Sequence, residues 1–307
     1  IFVSCSVGIA VYPTDSETAE ELLKYADSAM YSAKRSGRNS FRFYSRDMTE
    51  HAQQRLTLEF DLRRALQRGE LALHYQPKVL LASGATVGCE ALLRWTHPRL
   101  GQVSPELFIP VAEDAGLINQ LGAWVLRESC STAVAWNAGA TQPRKVAVNL
   151  SARQIQASGL VAQVKEIVSQ TRCKPQWLEF EITESLLLDE DGVAVKALQA
   201  LRDMGATIAI DDFGTGYSAL SYLARFPIDT LKIDKSFIHS ATTDHFRAEL
   251  IKAILSIARC LNQEVVAEGV ETPEQADFLA AEGCQLAQGF LFSKAVPREQ
   301  LLGMFGA

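Results

Sequence analysis

The sequence lacks features that identify several large classes of proteins. No apolar run approaches the roughly 18 residues that a membrane-spanning helix needs, and no signal peptide is visible. No basic stripe is present and the formal net charge is −6, which argues against a nucleic-acid polymer as partner. No G-x-G-x-x-G phosphate loop follows a predicted strand. From these absences we expect no nucleic-acid polymer as partner and no membrane contact by this part of the protein.

The cysteines show no metal or redox spacing. The six are scattered and none forms a C-x-x-C pair, which disfavours a zinc site or a redox motif. The even count leaves disulfides open, although a chain of this length does not need them. We expect the cysteines to be small, mostly buried side chains of a cytoplasmic protein. The chain opens on Ile1 rather than Met, so we also expect an upstream region, which could tether the full-length protein to a membrane.

Strand-like and helix-like segments alternate from Leu71 onward, in a chain of 307 residues that is 48% hydrophobic. The turn at residues 81–84 is too short for a helical crossover, so the first two strands should be antiparallel. This pattern predicts an α/β fold, a TIM-like (β/α)8 barrel with one antiparallel strand. An open doubly wound sheet is the alternative. The strands are predicted at residues 71–79, 86–95, 145–150, 178–183, 206–211, 229–233, 264–268 and 286–292.

Polar side chains lie in or at the end of these apolar strands. Residues 207–210 are apolar or β-branched and run into Asp211 and Asp212, which repel each other unless a cation lies between them. An Asp-rich turn is the simpler interpretation of that pair. In a barrel such side chains converge on one rim, and their oxygen atoms suit Mg²⁺ or Mn²⁺. The others are Glu90, Asn149, Glu181, Lys232, Glu268 and Gln288.

Residues 1–45 predict a strand, a helix and a strand, too little for a complete core. The segments S-V-G-I-A (6–10), A-D-S-A-M-Y-S-A-K (26–34) and G-R-N (37–39) resemble the C-terminal third of a GGDEF (diguanylate cyclase) domain. The signature G-G-D-E-F motif is absent. The resemblance therefore implies a partial α+β remnant without cyclase activity, followed by a linker helix at residues 46–69.

The remaining motifs resemble the EAL phosphodiesterase domain over about residues 50–307, and we place the barrel domain itself at residues 70–307. The family fold is a TIM-like barrel with one antiparallel strand. Its activity is hydrolysis of cyclic di-GMP to linear pGpG with two Mg²⁺ or Mn²⁺ ions. The matching segments are E-A-L-L-R-W (90–95), N-L-S (149–151), E-I-T-E (181–184), D-D-F-G-T-G-Y-S (211–218), K-I-D (232–234) and A-E-G-V-E-T (267–272).

This resemblance implies a role for each matched residue. Lys232 would position the attacking water, and Gln288 would support that water or the second metal. Glu268 would be either a metal ligand or the general base. The residues implied to bind metal are Glu90, Asn149, Glu181, Asp211 and Asp212.

Substrate contacts and assembly are also implied. Leu92 and Arg94 would contact the dinucleotide. Glu184 would anchor the loop at residues 213–221, which in this family couples substrate and metal binding to dimerisation, so a homodimer is expected.

Two other functions remain open at this point. The barrel could be a catalytically silent receptor for cyclic di-GMP, or a scaffold for protein contacts. Silent relatives usually lack some metal ligands, whereas every one is present here. Unused buried acids would also destabilise a scaffold. The sequence therefore favours the enzyme.

Overall fold

The computed structural model describes residues 4–35, 39–188, 192–215, 223 and 225–305. The chain forms two compact units. One comprises residues 1–68 and 106–115, and the other comprises residues 69–105 and 116–307. Within the described ranges, no helix is both long enough and apolar enough to cross a membrane.

The first unit holds a two-stranded parallel sheet, with Val7 opposite Phe41. A helix connects the two strands and lies close to them, because a Cβ added at Gly8 would lie only 1.9 Å from the Ala26 carbonyl oxygen. The expected stop at Gly37 lies outside the described residues. The elements are β1 (Val7–Ile9), α1 (Ala19–Arg35), β2 (Phe41–Phe43), α2 (Arg46–Ala65) and most of α3 (Pro105–Asp114).

The predicted helix at residues 46–69 is shorter in the structure. α2 ends at Ala65, and residues 66–69 form turns. Gly69 adopts a φ of +68°, a left-handed conformation that continues no α-helix. The glycine therefore marks the end of the segment, as predicted, but the helix stops one turn earlier.

The second unit is a closed barrel of eight strands. Around the barrel the order is β3, β4, β6, β7, β8, β9, β10, β11 and back to β3. Only β3 runs antiparallel to its two neighbours in the barrel, which confirms the TIM-like barrel with one reversed strand. The strands are β3 (Leu71–Leu80), β4 (Thr86–His97), β5 (Gly101–Val103), β6 (Lys145–Asn149), β7 (Leu178–Thr183), β8 (Thr207–Phe213), β9 (Thr230–Ile233), β10 (Glu264–Ala267), β11 (Leu286–Ala287) and β12 (Val296–Pro297).

The prediction for the eighth strand, residues 286–292, was too long. β11 ends at Ala287, and the chain then turns against the segment after β10. Val270 donates its N–H to the Gln288 carbonyl, and Leu291 donates to the Val270 carbonyl. A Cβ at Gly289 would lie 2.0 Å from the Val270 carbonyl oxygen, so only glycine permits this approach.

Helices of the second unit lie in the connections between consecutive strands. Thr272 and Gln275 form the predicted capping box at the start of α10. Short 3₁₀ turns cover Pro175–Trp177 and Glu184–Leu188. The α-helices are α4 (Ile118–Trp136), α5 (Ala152–Gln156), α6 (Leu160–Thr171), α7 (Val193–Asp203), α8 (Lys235–Ile238), α9 (His245–Cys260), α10 (Pro273–Ala281) and α11 (Arg298–Phe305).

The barrel strands have two different faces. On β7, Leu178, Phe180 and Ile182 belong to the hydrophobic core, while the alternating Glu179 and Glu181 are equally buried but charged. Successive side chains of a strand point to opposite faces, so the apolar set lies between strands and helices and the charged set lies inside the barrel. All six cysteines are free, and four of them are buried.

Asn137 closes the C-terminal end of α4. Its side-chain nitrogen donates to the Ala133 and Arg144 carbonyls, and its side-chain oxygen accepts the Arg144 N–H at 2.8 Å. We expect Asn137→Ala to lower the free energy of unfolding by roughly 2 kcal/mol, because buried backbone groups lose their partners. Urea denaturation measures the change, with Gln199→Ala on the exposed face of α7 as control. Equal midpoints for the two variants would contradict this role.

Candidate metal centre

The side chain of Lys232 lies at the centre of the barrel mouth. It projects from β9 and is fully buried. The surrounding carboxylates come from β4, β7, β8 and the segment after β10, so one ammonium group links four parts of the rim. The distances from Lys232 Nζ are 2.7 Å to Glu268, 2.8 Å to Glu181, 3.0 Å to Asp211 and 3.3 Å to Glu90.

Two side-chain amides also hold Glu90 by hydrogen bonds. Asn149 at the end of β6 donates to Glu90 Oε1, and Gln288 after β11 donates to Glu90 Oε2, both at 2.8 Å. Gln288 also donates to Gln76, which lies opposite Glu90 in the pairing of β3 with β4. The Gln288 oxygen Oε1 is buried without a hydrogen-bond partner among the described residues, as expected of an atom whose partner is a cation or a water.

A bulge at the end of β8 brings two adjacent aspartates to the same mouth. In a regular strand Asp211 and Asp212 would point to opposite faces. The pairing of β8 with β9 shifts between Ile210 and Phe213, and Asp212 has a φ of +53°. Aspartate tolerates this left-handed conformation better than most residues. The bulge thereby re-aims the pair toward one site.

Burial and neighbouring charges pull the pKa values of the carboxyls apart. Burial opposes ionisation of Glu90, but the Lys232 and Lys78 ammonium groups outweigh it and lower the pKa to about 2. Burial and the charge of Glu90 raise the pKa of Glu181 to about 8. Burial raises the pKa of Glu268 to about 7, although Lys232 acts in the opposite direction. The mouth therefore carries more acid than its lysines can neutralise, and bound protons or cations relieve the excess.

The donor set fits a pair of divalent cations. Glu90, Glu181 and Asp211 can each bring one oxygen within 4.8 Å of the others, and so can Asp211, Asp212 and Glu268. Asp211 belongs to both groups, which matches two-metal sites, where ions about 3.5–4 Å apart share a clamp of ligands. Carboxylate and amide oxygens suit Mg²⁺ or Mn²⁺, whereas zinc prefers His and Cys.

The structure brings most of the predicted site residues together. Leu92 and Arg94 follow Glu90 at alternate positions of β4, so all three lie on one face of that strand. Arg94 is half-buried and donates to the Leu93 carbonyl. Their predicted roles stay predictions. The residues whose side chains meet around Lys232 are Glu90, Asn149, Glu181, Asp211, Asp212, Glu268 and Gln288.

The predicted loop anchor occupies a matching position. Glu184 is buried, and its Oε2 accepts the Gly214 N–H at 2.9 Å. Residues 216–221 of the loop that Glu184 is expected to anchor lie outside the described residues.

Three further polar residues of the barrel interior were missed by sequence reasoning. Gln76 contacts Gln288, and Lys78 bridges Glu179 and Glu181. The signal was present as polar residues two positions apart on a strand, which places them on one face: Gln76 and Lys78 on β3, and Glu179 with the predicted ligand Glu181 on β7.

A barrel with one reversed strand and a cluster of acids at its mouth defines a class of TIM-like barrel proteins whose functional site lies at the C-terminal ends of the strands. The EAL domain family matches residues 59–295, so this chain belongs to that family. The diguanylate cyclase GGDEF domain family matches residues 1–40. Both family resemblances predicted from the motifs are confirmed.

Known relatives share this arrangement of sequence and fold. The chain is 47% identical over 300 residues to the bifunctional diguanylate cyclase/cyclic di-GMP phosphodiesterase MucR of Pseudomonas aeruginosa, covering 98% of this chain and 44% of that protein. It is 38% identical to the cyclic di-GMP phosphodiesterase PdeR of Escherichia coli K12, covering 97% and 45%. The chain thus spans less than half of each of these curated relatives.

A solved structure is also similar. The chain is 46% identical to the structure described as the PaMucR phosphodiesterase in complex with c-di-GMP. The match has a TM-score of 0.77 and covers 80% of this chain and 100% of the other.

The shared position of Asp211 predicts a difference between two neighbouring variants. Asp211→Asn should weaken both cation sites, because Asp211 belongs to both clusters of carboxylates. Asp212→Asn should weaken only the site that includes Glu268, because Asp212 belongs to that cluster alone. We expect losses of at least about tenfold in affinity. Isothermal titration with Mn²⁺ measures the number and affinity of the sites.

The exposed Asp203→Asn on α7 serves as the control for loss of one charge. The same number and affinity of Mn²⁺ sites in Asp211→Asn and Asp212→Asn would contradict two cation sites that share Asp211.

Proposed function

We propose that this chain hydrolyses cyclic di-GMP to linear pGpG with two Mg²⁺ or Mn²⁺ ions. The observation that carries the proposal is that two clusters of three carboxylates lie around Lys232 at the barrel mouth and share Asp211. Support comes from relatives named as cyclic di-GMP phosphodiesterases and from the similar structure described as a c-di-GMP complex.

The carboxylate cluster supplies the chemistry of the proposed reaction. Bound divalent ions would neutralise the phosphodiester oxygens and make a water molecule easier to deprotonate. The residues to hold them are Glu90, Asn149, Glu181, Asp211 and Asp212. Lys232 and Glu268 form a donor–acceptor pair whose polar atoms lie 2.7 Å apart. Such a pair can orient the attacking water and accept its proton.

The strand that carries Glu90 also offers contacts for the rest of the substrate. Arg94 presents a guanidinium group on the same face of β4, and guanidinium binds phosphate oxygens through paired hydrogen bonds. Leu92, between Glu90 and Arg94 on that face, offers apolar surface to the dinucleotide. Arg94 would therefore supply one cation for a phosphate group, four residues beyond the proposed metal ligand Glu90.

Assembly and location belong to the same proposal. The homodimer and the role of Glu184 in loop coupling are supported by the family resemblance, and the hydrogen bond from Gly214 supports the anchor. A cytoplasmic location fits the free cysteines. The division into a GGDEF-like remnant (1–45), a linker helix (46–69) and the barrel (70–307) is part of the proposal. The family matches at residues 1–40 and 59–295 support its first and last parts.

The direct test is incubation of the chain with cyclic di-GMP and Mg²⁺ or Mn²⁺, with products separated by chromatography. We expect conversion to pGpG, reduced by at least about 100-fold in Glu90→Gln, because an amide replaces an ionised ligand that also receives hydrogen bonds from Asn149 and Gln288. Asp203→Asn should retain wild-type turnover. If the wild-type chain bound the dinucleotide without hydrolysing it, the proposed enzymatic activity would be wrong and a catalytically silent receptor would be supported.

A further inference from the structure

A second charged layer lies beneath the barrel mouth. Lys78 on β3 is buried, and its ammonium group contacts Glu179 Oε1 at 2.5 Å and Glu181 Oε1 at 2.8 Å. Both glutamates belong to β7, which is three strands away from β3 by the shorter path around the barrel. The contact therefore crosses the barrel interior rather than running between neighbouring strands.

Each oxygen of Glu181 has a different lysine partner. Oε1 accepts from Lys78, while Oε2 accepts from Lys232 at 2.8 Å. The carboxylate is fully buried, and each of its oxygens contacts a different ammonium group. Lys78 thus holds Oε1 and with it the plane of the carboxylate, and this same carboxylate offers one oxygen to the cluster with Glu90 and Asp211.

Glu179 completes the layer. Its Oε1 pairs with Lys78, and its Oε2 accepts hydrogen bonds from the hydroxyl groups of Thr230 at 3.1 Å and Thr207 at 3.5 Å. These partners hold Glu179 on the side away from the mouth. Glu179 therefore balances the charge of Lys78 without itself reaching the cation site.

We propose that Lys78 is a positioning residue that orients Glu181 for metal binding through a hydrogen bond across the barrel interior. This inference rests on the proposed function, since it assumes that Glu181 is a ligand. A partner that fixes the orientation of a ligating carboxylate typically contributes about 10–100-fold to metal affinity. A cation that only neutralised charge in the core would stabilise the fold and leave metal affinity unaltered.

The test compares Lys78→Met/Glu179→Gln with the wild type in the whole chain, and Glu179→Gln alone serves as the control. The double variant removes one charge of each sign, so the net charge of the interior is unchanged and the lost hydrogen bond to Glu181 dominates. By Mn²⁺ titration without substrate, we expect the Glu181-containing site to bind about tenfold or more weakly in the double variant. The other site should keep its affinity, and Glu179→Gln alone should resemble the wild type at both sites.

Equal Mn²⁺ affinity in the double variant and Glu179→Gln would overturn the proposal. Should the double variant fail to fold, Lys78→Arg keeps the charge while moving the donors, and the expected loss of affinity, again about tenfold, applies to it. Unchanged affinity in Lys78→Arg would then overturn the proposal. If the wild-type chain itself bound no Mn²⁺ at the mouth, the proposed function would fail rather than this inference alone.

Discussion

The structure depends on the burial of like charges inside one barrel. Carboxylates of Glu90, Glu181, Asp211 and Glu268 surround one ammonium group at distances of 2.7–3.3 Å. Lys78 adds a second cation below them, paired with Glu179. These five carboxylates still outnumber the two lysines. Buried charges without partners would cost several kcal/mol each. The arrangement is therefore one that divalent cations would stabilise, and the proposed chemistry follows from the same excess of charge.

The alternation of strand side chains makes this interior possible. On β7 the outward residues pack against helices, while Glu179 and Glu181 point inward at successive levels. On β9 the inward positions are Thr230 and Lys232, which meet Glu179 and Glu181 at the same two levels. The barrel thus stacks a structural layer of ion pairs beneath a layer that can bind cations, and the lower layer holds the upper one in place.

Much of this could be predicted from local sequence patterns. The apolar strands and the short turn at residues 81–84 were enough to predict the barrel and its reversed strand. The acids at the strand ends were enough to predict an oxygen-lined mouth, because parallel strands end on the same rim. The family motifs assigned those acids their individual roles.

The remainder depends on contacts that no local pattern contains. The bulge that turns Asp212 with a φ of +53° is a consequence of pairing with β9, and alternation alone would place Asp212 on the wrong face. The bond from Lys78 to Glu181 requires closure of the whole barrel. The early end of β11 depends on the approach of Gly289 to Val270.

We expect the buried acids at the barrel mouth to bind two divalent cations. Diffraction from crystals grown with Mn²⁺, recorded near the manganese absorption edge, tests it most directly. We expect two anomalous peaks at the barrel mouth, both within bonding distance of Asp211, with the Lys232 ammonium group displaced from Asp211. No peak at the mouth, with Lys232 unmoved among the four carboxylates, would contradict it.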